Sequence, residues 1–246
     1  MTPAWRPRVA RLARLAVLEV LAVLADLALG GAASAAPSFQ ARCEALTAAS
    51  GAAFSSRDNG YRIDNSLSYR SLSQMKRPNV ANGYVLGLTR TESRVSIKID
   101  GQLLREPQSG IECVAPRIEV ALYYQPIVIY VGREFAPDTC AYREILAHEM
   151  RHLKSYMDYL PKVEERARSK LGQRFVGKPL YARSGWARDV LQSEIDRGWM
   201  PFIKGEMAAV ERLQAAIDSP REYARLSKVC QGEVQSLIGS TRRAAS

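Results

Sequence analysis

Residues 140–160, CAYREILAHEMRHLKSYMDYL, decide how the rest of the chain is interpreted. They contain no glycine or proline after residue 140, and apolar side chains recur at helical spacing, so the segment predicts a helix. The only two histidines of the chain, His148 and His152, lie four residues apart, which places them on one face of that helix. Two imidazoles stacked in this way can bind one zinc ion at roughly 2.0–2.1 Å, with Glu149 beside it.

This H-E-x-x-H run resembles the active-site helix of zincin metallopeptidases, and the resemblance covers about 20 residues of the chain. It implies a Zn²⁺ cofactor, a peptide or protein substrate, and hydrolysis by a zinc-activated water with Glu149 as the general base. It also implies that the substrate binds as a strand added to a sheet edge beside the helix. Zincins commonly use a further side chain to stabilise the oxyanion, for which Tyr156, Arg151 and Tyr181 are the candidates, Tyr156 first.

A third zinc ligand is needed, because a catalytic zinc usually has three protein ligands and one open position. No third histidine exists, so a carboxylate is expected. Asp158 has the spacing of the third ligand in metzincins, but on an unbroken helix it points about 120° away from His152. The favoured residue is Glu194, on the apolar face of a later helix. The alternatives, in order, are Glu206, Asp158 and Glu164.

The N-terminal residues predict export. Four arginines within the first 14 residues precede a mostly apolar stretch at 15–29, and Ala33-Ser34-Ala35 has the form of a cleavage site. Residues 1–35 are therefore expected to be a signal peptide, and the mature protein to be periplasmic or secreted. Glu19 and Asp26 interrupt the apolar stretch, so a membrane anchor or an amphipathic extension stays open as an alternative.

The four cysteines agree with export. All of them follow residue 35 and none forms a C-x-x-C pair, so two disulfides are expected rather than a redox motif. Of the three possible pairings, Cys113–Cys140 with Cys43–Cys230 is favoured; four free thiols are the alternative.

The chain carries a net charge of +10, with the positive residues spread along its length. A diffuse basic surface suits anionic components of the cell envelope or acidic substrates. No groove-reading motif accompanies the charge, so no nucleic acid partner is expected, and contact with the membrane is expected only through the signal segment. Two non-enzymatic functions stay open: a zincin-like binding protein of the cell envelope without turnover, and a basic envelope protein in which the motif is accidental.

The predicted fold class is α+β, with a small antiparallel or mixed sheet followed by the H-E-x-x-H helix and a helical C-terminal part. Residues 36–246 are expected to form one zincin-like domain. Within it, 36–80 is a polar N-terminal extension that could be a pro-region covering the cleft, 81–160 holds the sheet and the active-site helix, and 161–246 is helical. Two strands are predicted in 84–100, and two more in 117–131 on either side of Pro126.

Local signals mark the helix boundaries and turns. Asp138 or Thr139 is expected to cap the H-E-x-x-H helix, and Asp100-Gly101 to form a turn. A separate basic helix is expected after Pro161. A long helix is predicted over 186–218 with a bend at Pro201, and Ser219-Pro220 predicts the start of a last helix.

Overall fold

The computed structural model describes residues 36–76 and 83–243. The elements it describes fall within one unit, Phe39–Ser246. The signal peptide expected at residues 1–35 lies outside the described residues, so it stays a prediction. Within the described ranges, no helix combines the length and the apolar content that crossing a membrane requires.

The predicted α+β class is confirmed: two small sheets flank a long helix, and the C-terminal part is helical. The strands are β1 (Gly51–Arg57), β2 (Tyr61–Asp64), β3 (Gly87–Arg90), β4 (Ser93–Glu106), β5 (Ile111–Tyr124), β6 (Ile127–Val131) and β7 (Leu180–Arg183). The α-helices are α1 (Phe39–Leu46), α2 (Tyr69–Met75), α3 (Cys140–Phe175), α4 (Ala187–Glu194), α5 (Met200–Ala208), α6 (Glu211–Ile217), α7 (Pro220–Leu226) and α8 (Glu233–Arg243).

Strand β5 organises the larger sheet. Antiparallel β4 pairs with it along its whole length, β7 pairs antiparallel with its first four residues, and β1 pairs parallel with its second half. The smaller sheet has the order β2-β6-β3, with β2 parallel and β3 antiparallel to β6. In this sheet β3 is an edge strand, and it lies beside the histidine-bearing part of α3.

Helix α3 carries both histidines and crosses both sheets. Thr139 is its N-cap and accepts a hydrogen bond from the backbone N–H of Tyr142 at 3.2 Å, as the sequence predicts. The helix runs for 36 residues and includes Pro161, where two separate helices were expected. An interior proline costs about 3 kcal/mol. The buried face continues beyond it through Val163, Ala167 and Leu171, and burying a large apolar side chain stabilises by about 1.5–3 kcal/mol, which offsets that cost.

The N-terminal extension contains helices and strands that belong to the fold, and a role as a pro-region stays a prediction. Strand β1 pairs with β5 over seven positions, and α2 buries Tyr69 and Leu72 completely. The expectation of a turn at Asp100-Gly101 is corrected: the pair is extended within β4 rather than turning the chain. The small residues of β1, GAAFSSR, gave little apolar pattern from which to predict a strand.

The helix expected over 186–218 is divided into three. Helices α4 and α5 are joined by a π-helical turn at Ile195–Trp199, and α6 follows after a further break. Ser219 caps α7 by accepting a hydrogen bond from the Glu222 backbone N–H at 3.3 Å, as its sequence predicts. A short 3-10 turn, Cys230–Gly232, leads into α8.

Two disulfides are present, as expected, but the favoured pairing is wrong. Cys43 is bonded to Cys113, and Cys140 to Cys230. The first bond ties α1 to β5, whereas the second ties the first residue of α3 to the segment after α7. The two bonds are consistent with an oxidising, extracellular compartment.

Candidate metal centre

The two histidines of α3 face one buried point, as their spacing predicts. Their Nε2 atoms are 3.2 Å apart, and each residue is only 5% exposed. The imidazole rings meet edge to face with their centroids 4.9 Å apart. Separation by one helical turn therefore brings one nitrogen of each ring to the same place.

Asp218 supplies a third donor to this point. Its Oδ1 lies 3.1 Å from the Nε2 atoms of both His148 and His152. Asp218 follows the last residue of α6. Its own backbone angles, φ −77° and ψ 40°, are not helical, so the helix ends here and the carboxylate lies toward α3. The three buried residues form a group that can hold a metal ion.

A second layer of contacts fixes the orientation of these donors. Nδ1 of His152 is 2.5 Å from Oε1 of Gln214, and Nδ1 of His148 is 3.3 Å from Oε1 of Glu222. When Nδ1 of His152 donates its hydrogen to Gln214, its Nε2 presents a lone pair to the centre. Nδ1 of His148 has two partners, because it also lies 2.8 Å from Nη2 of Arg151, which can only donate. The other oxygen of Asp218, Oδ2, accepts a hydrogen bond from Lys76 Nζ at 2.6 Å.

The ionisable side chains of this group shift one another's pKa values. Burial acts to raise the pKa of Asp218, but hydrogen bonds from His148, His152 and Lys76 outweigh it and hold that pKa well below its ordinary range. Burial acts to lower the pKa of His152, but its hydrogen bond to Asp218 and the charge of Glu149 raise it overall. The pKa of Glu222 is lowered to about 2, first by its hydrogen bond from Arg225.

Glu149 lies in the same cavity and is almost fully buried. Its Oε2 accepts a hydrogen bond from Thr89 Oγ1 on β3 at 2.9 Å. Gly87, two residues earlier on β3, leaves the space that the Glu149 side chain fills, because a Cβ there would lie 2.7 Å from Oε1. Burial raises the pKa of Glu149 above its ordinary value. A buried carboxyl with a raised pKa suits a group that exchanges a proton.

The donors open onto a cavity of about 520 Å³. One wall is formed by residues 83–89, which include most of edge strand β3. The others come from α3, from Lys76 at the end of α2, and from the chain that follows α5. Apolar side chains extend the cavity beyond the histidines, namely Val85, Leu86, Ile145, Leu226, Val234 and Ile238. The arrangement combines a metal-capable group, a buried acid and an apolar recess in one cleft.

The carboxylates expected as the third ligand lie elsewhere. Glu194 receives two hydrogen bonds from Arg174, at 2.8 and 2.7 Å. Arg174 follows His152 by 22 residues on the same helix, which is about 33 Å along the axis. The prediction of Glu194 is therefore not supported by the geometry, because α4 packs at the far end of α3.

The three alternative ligands are also engaged in ion pairs. Glu206 pairs with Arg166 at 2.5 Å, and Asp158 pairs with Lys154 at 2.7 Å on the exposed side of α3. Glu164 pairs with Arg168 one turn away. All four carboxylates expected as the third ligand therefore pair with an arginine or a lysine of α3.

Of the oxyanion candidates, only Tyr156 lines the cavity; its hydroxyl lies 3.4 Å from Glu211 Oε1. Arg151 is paired with Glu222. Tyr181 lies on β7, where its ring meets that of Phe39 edge to face at 6.3 Å. Sequence reasoning missed Tyr223, which also lines the cavity; burial and the charge of Asp218 raise its pKa to about 12.

Sequence reasoning also missed Asp218, Gln214 and Glu222. These three polar residues are spaced four apart, and all are buried. Buried Val210 and Leu226 continue the same spacing on either side. A polar stripe at this spacing, flanked by apolar residues, was the available signal for a second ligand-bearing surface.

A second cluster brings Cys140, Cys230 and Glu233 together. Its sulfur atoms are joined in a disulfide, and Glu233 Oε2 accepts a hydrogen bond from the backbone N–H of Ala141 at 3.1 Å. Thiolate ligands are therefore absent from this cluster, and the histidine group is the better candidate for a metal.

Comparisons with protein-family models, with curated proteins and with solved structures give no match to this chain.

Proposed function

We propose that the protein is an exported zinc-dependent peptidase that hydrolyses peptide bonds, with His148, His152 and Asp218 as zinc ligands and Glu149 as the general base. The observation that carries the proposal is the convergence of the two Nε2 atoms and Asp218 Oδ1, with separations of 3.1, 3.1 and 3.2 Å.

These separations fit zinc. Ligands 2.0–2.1 Å from a tetrahedral ion are about 3.3 Å from one another, close to the observed spacing. Two imidazoles and a carboxylate form a ligand set found at catalytic zinc sites, where the fourth position stays open. The contact of His152 Nδ1 with the Gln214 side-chain oxygen is also usual for a zinc-bound imidazole.

The cavity residues can perform the remaining work of a hydrolase. When bound, zinc supplies a polarised water of lowered pKa and polarises the carbonyl of the scissile bond. Glu149 takes the proton of the attacking water and passes it to the leaving amine. Tyr156 and Tyr223 line the cavity from two different helices, and we assign them the role of oxyanion donors.

Peptide as the substrate class is supported by the position of β3. Edge strand β3 offers backbone N–H and C=O groups along the cavity wall, and an extended peptide can pair with such an edge. The apolar recess beside it suits a substrate side chain without charge. The two disulfides and the expected signal segment support action outside the cytoplasm.

A zincin-like binding protein without turnover is the second candidate. It is favoured by one observation: the group can also be satisfied by a proton, since a protonated His152 donates to Asp218, in line with the raised pKa of that histidine. In that case the cavity would bind a ligand of the cell envelope without hydrolysing it.

Zinc content of the purified, oxidised protein, measured by inductively coupled plasma mass spectrometry, tests the proposal. About one zinc per chain is expected in the wild type and in Glu149→Gln, and a large loss in Asp218→Asn. Asp158→Asn is the matched control, because Asp158 forms an exposed pair with Lys154, and it should keep its zinc. Glu194→Gln should keep it as well.

Hydrolysis of a quenched fluorescent peptide library then separates the two candidates. Activity in the wild type that is lost in zinc-loaded Glu149→Gln supports the peptidase. A folded wild-type protein that stays free of zinc after zinc is supplied overturns the proposal.

A further inference from the structure

We infer that Lys76 is a positioning residue for the third ligand: it holds Oδ2 of Asp218 so that this carboxylate presents Oδ1 alone to the metal. The inference rests on the proposed zinc site and adds to it a residue from the N-terminal segment of the chain.

The two oxygens of the Asp218 carboxylate have different partners. Oδ1 is 3.1 Å from both imidazole Nε2 atoms, whereas Oδ2 is 2.6 Å from Lys76 Nζ. The Asp218 side chain is only 4% exposed, so water has little access to either oxygen. Lys76 is the single lysine or arginine among the described residues that line the cavity.

Lys76 comes from a firmly anchored element. It caps α2, where its backbone N–H donates to Leu72 O at 3.0 Å. That helix buries Tyr69 and Leu72 completely, and Tyr69 N–H donates to Glu134 at 3.0 Å. Asp218 itself sits at a helix end with non-helical backbone angles, and the Tyr223 hydroxyl also forms a hydrogen bond with its side chain.

The different partners of the two Asp218 oxygens have a chemical consequence. A carboxylate that binds zinc through both oxygens occupies two coordination positions, whereas one that binds through a single oxygen leaves a position for water and substrate. An ammonium group on Oδ2 favours the single-oxygen mode.

The test compares Lys76→Met, Lys76→Gln and Lys76→Arg in the full, oxidised chain, with Lys154→Met as the matched control. Zinc affinity is measured by competition with a chelator, and zinc coordination by X-ray absorption. Loss of an outer contact of this kind typically weakens metal binding about 10–100-fold, which is the effect expected for Lys76→Met. Lys76→Gln keeps a donor without charge and should be intermediate, Lys76→Arg should recover most of the affinity, and Lys154→Met should match the wild type.

X-ray absorption gives a readout that a purely structural role would not move. In Lys76→Met the carboxylate is free to bind through both oxygens, so the average coordination number of zinc should rise by about one. Near-ultraviolet circular dichroism checks folding, which should persist because the Lys76 side chain is 40% exposed.

Two failures are distinguishable. A wild-type protein that binds no zinc overturns the proposed function. A wild type that binds zinc, with Lys76→Met equal to it in affinity and coordination, overturns the role of Lys76 and leaves the zinc site intact.

Discussion

Replacing Gly87 by alanine should disturb Glu149 without touching the metal-capable group. A Cβ at this position would lie 2.7 Å from both Glu149 Oε1 and Ile145 Cγ2, whereas ordinary contact starts at 3.4 Å. The Glu149 carboxylate and the Ile145 methyl must therefore each retreat, by about 0.7 Å if the backbone stays in place. Overpacking of this kind costs about 1–3 kcal/mol of unfolding free energy.

Thermal unfolding measures the expected loss of stability. For a chain of this size the expected fall in Tm is about 2–4 °C for each kcal/mol lost. Peptidase activity measures the displacement of Glu149. A general base moved by a large fraction of an ångström should lower the hydrolysis rate at least about 10-fold, since a 1 Å misplacement can cost 10²-fold. Zinc content should stay at the wild-type level, because the three atoms nearest to the added Cβ belong to Glu149 and Ile145.

Gly205→Ala is the matched control. It lies within α5, and a Cβ there meets nothing within 4 Å. Alanine should stabilise the helix by about 0.5–1 kcal/mol, with no effect on activity. If Gly87→Ala is as stable and as active as the wild type, the close packing of β3 against Glu149 is refuted.

Two further predictions concern the ionisation of Glu149 and the disulfides. Because burial raises the pKa of Glu149 above its ordinary 4.5, its contribution to stability in zinc-free protein is fully present below that pH and is lost as the pH rises through the raised value. Glu149→Gln should therefore gain stability relative to the wild type between pH 5 and pH 8 in urea unfolding; a difference that does not change with pH would contradict this. Replacing Cys140 and Cys230 by serine opens a connection spanning 90 residues and should cost about 2–5 kcal/mol while also weakening zinc binding. Replacing Cys43 and Cys113 in the same way should lower stability without weakening zinc binding. Equal zinc affinities in the two double variants would argue against a link between the Cys140–Cys230 bond and the metal-capable group.

Much of the fold follows from local pattern. The strands in 84–100 and 117–131, the cap at Thr139 and the start of α7 at Ser219-Pro220 were predictable because alternation and capping residues act within a few positions. Strand β1 was not, since its residues, GAAFSSR, have little strand preference of their own and pair in parallel with β5.

Some residues of the candidate site could likewise be predicted from local sequence, whereas others could not. His148 and His152 share a face because helix geometry alone places them there. Asp218 depends on how α6 packs against α3, 66 residues away, and no local rule determines that contact. Glu194 was favoured because it lies on an apolar helix face, but Arg174 offers it a closer partner in the fold. The disulfide pairing likewise needed the tertiary arrangement, since three pairings are equally consistent with the sequence.

The wide separation of the donors along the chain sets the order in which the centre can be assembled during synthesis. His152 leaves the ribosome 66 residues before Asp218, a delay of roughly 3–13 s at 5–20 residues per second. Over that interval the nascent chain carries the H-E-x-x-H helix without its third donor, and without the cysteine that joins the start of α3. A complete centre can therefore form only after Asp218 has left the ribosome, so nascent chains that end before this residue cannot contain it.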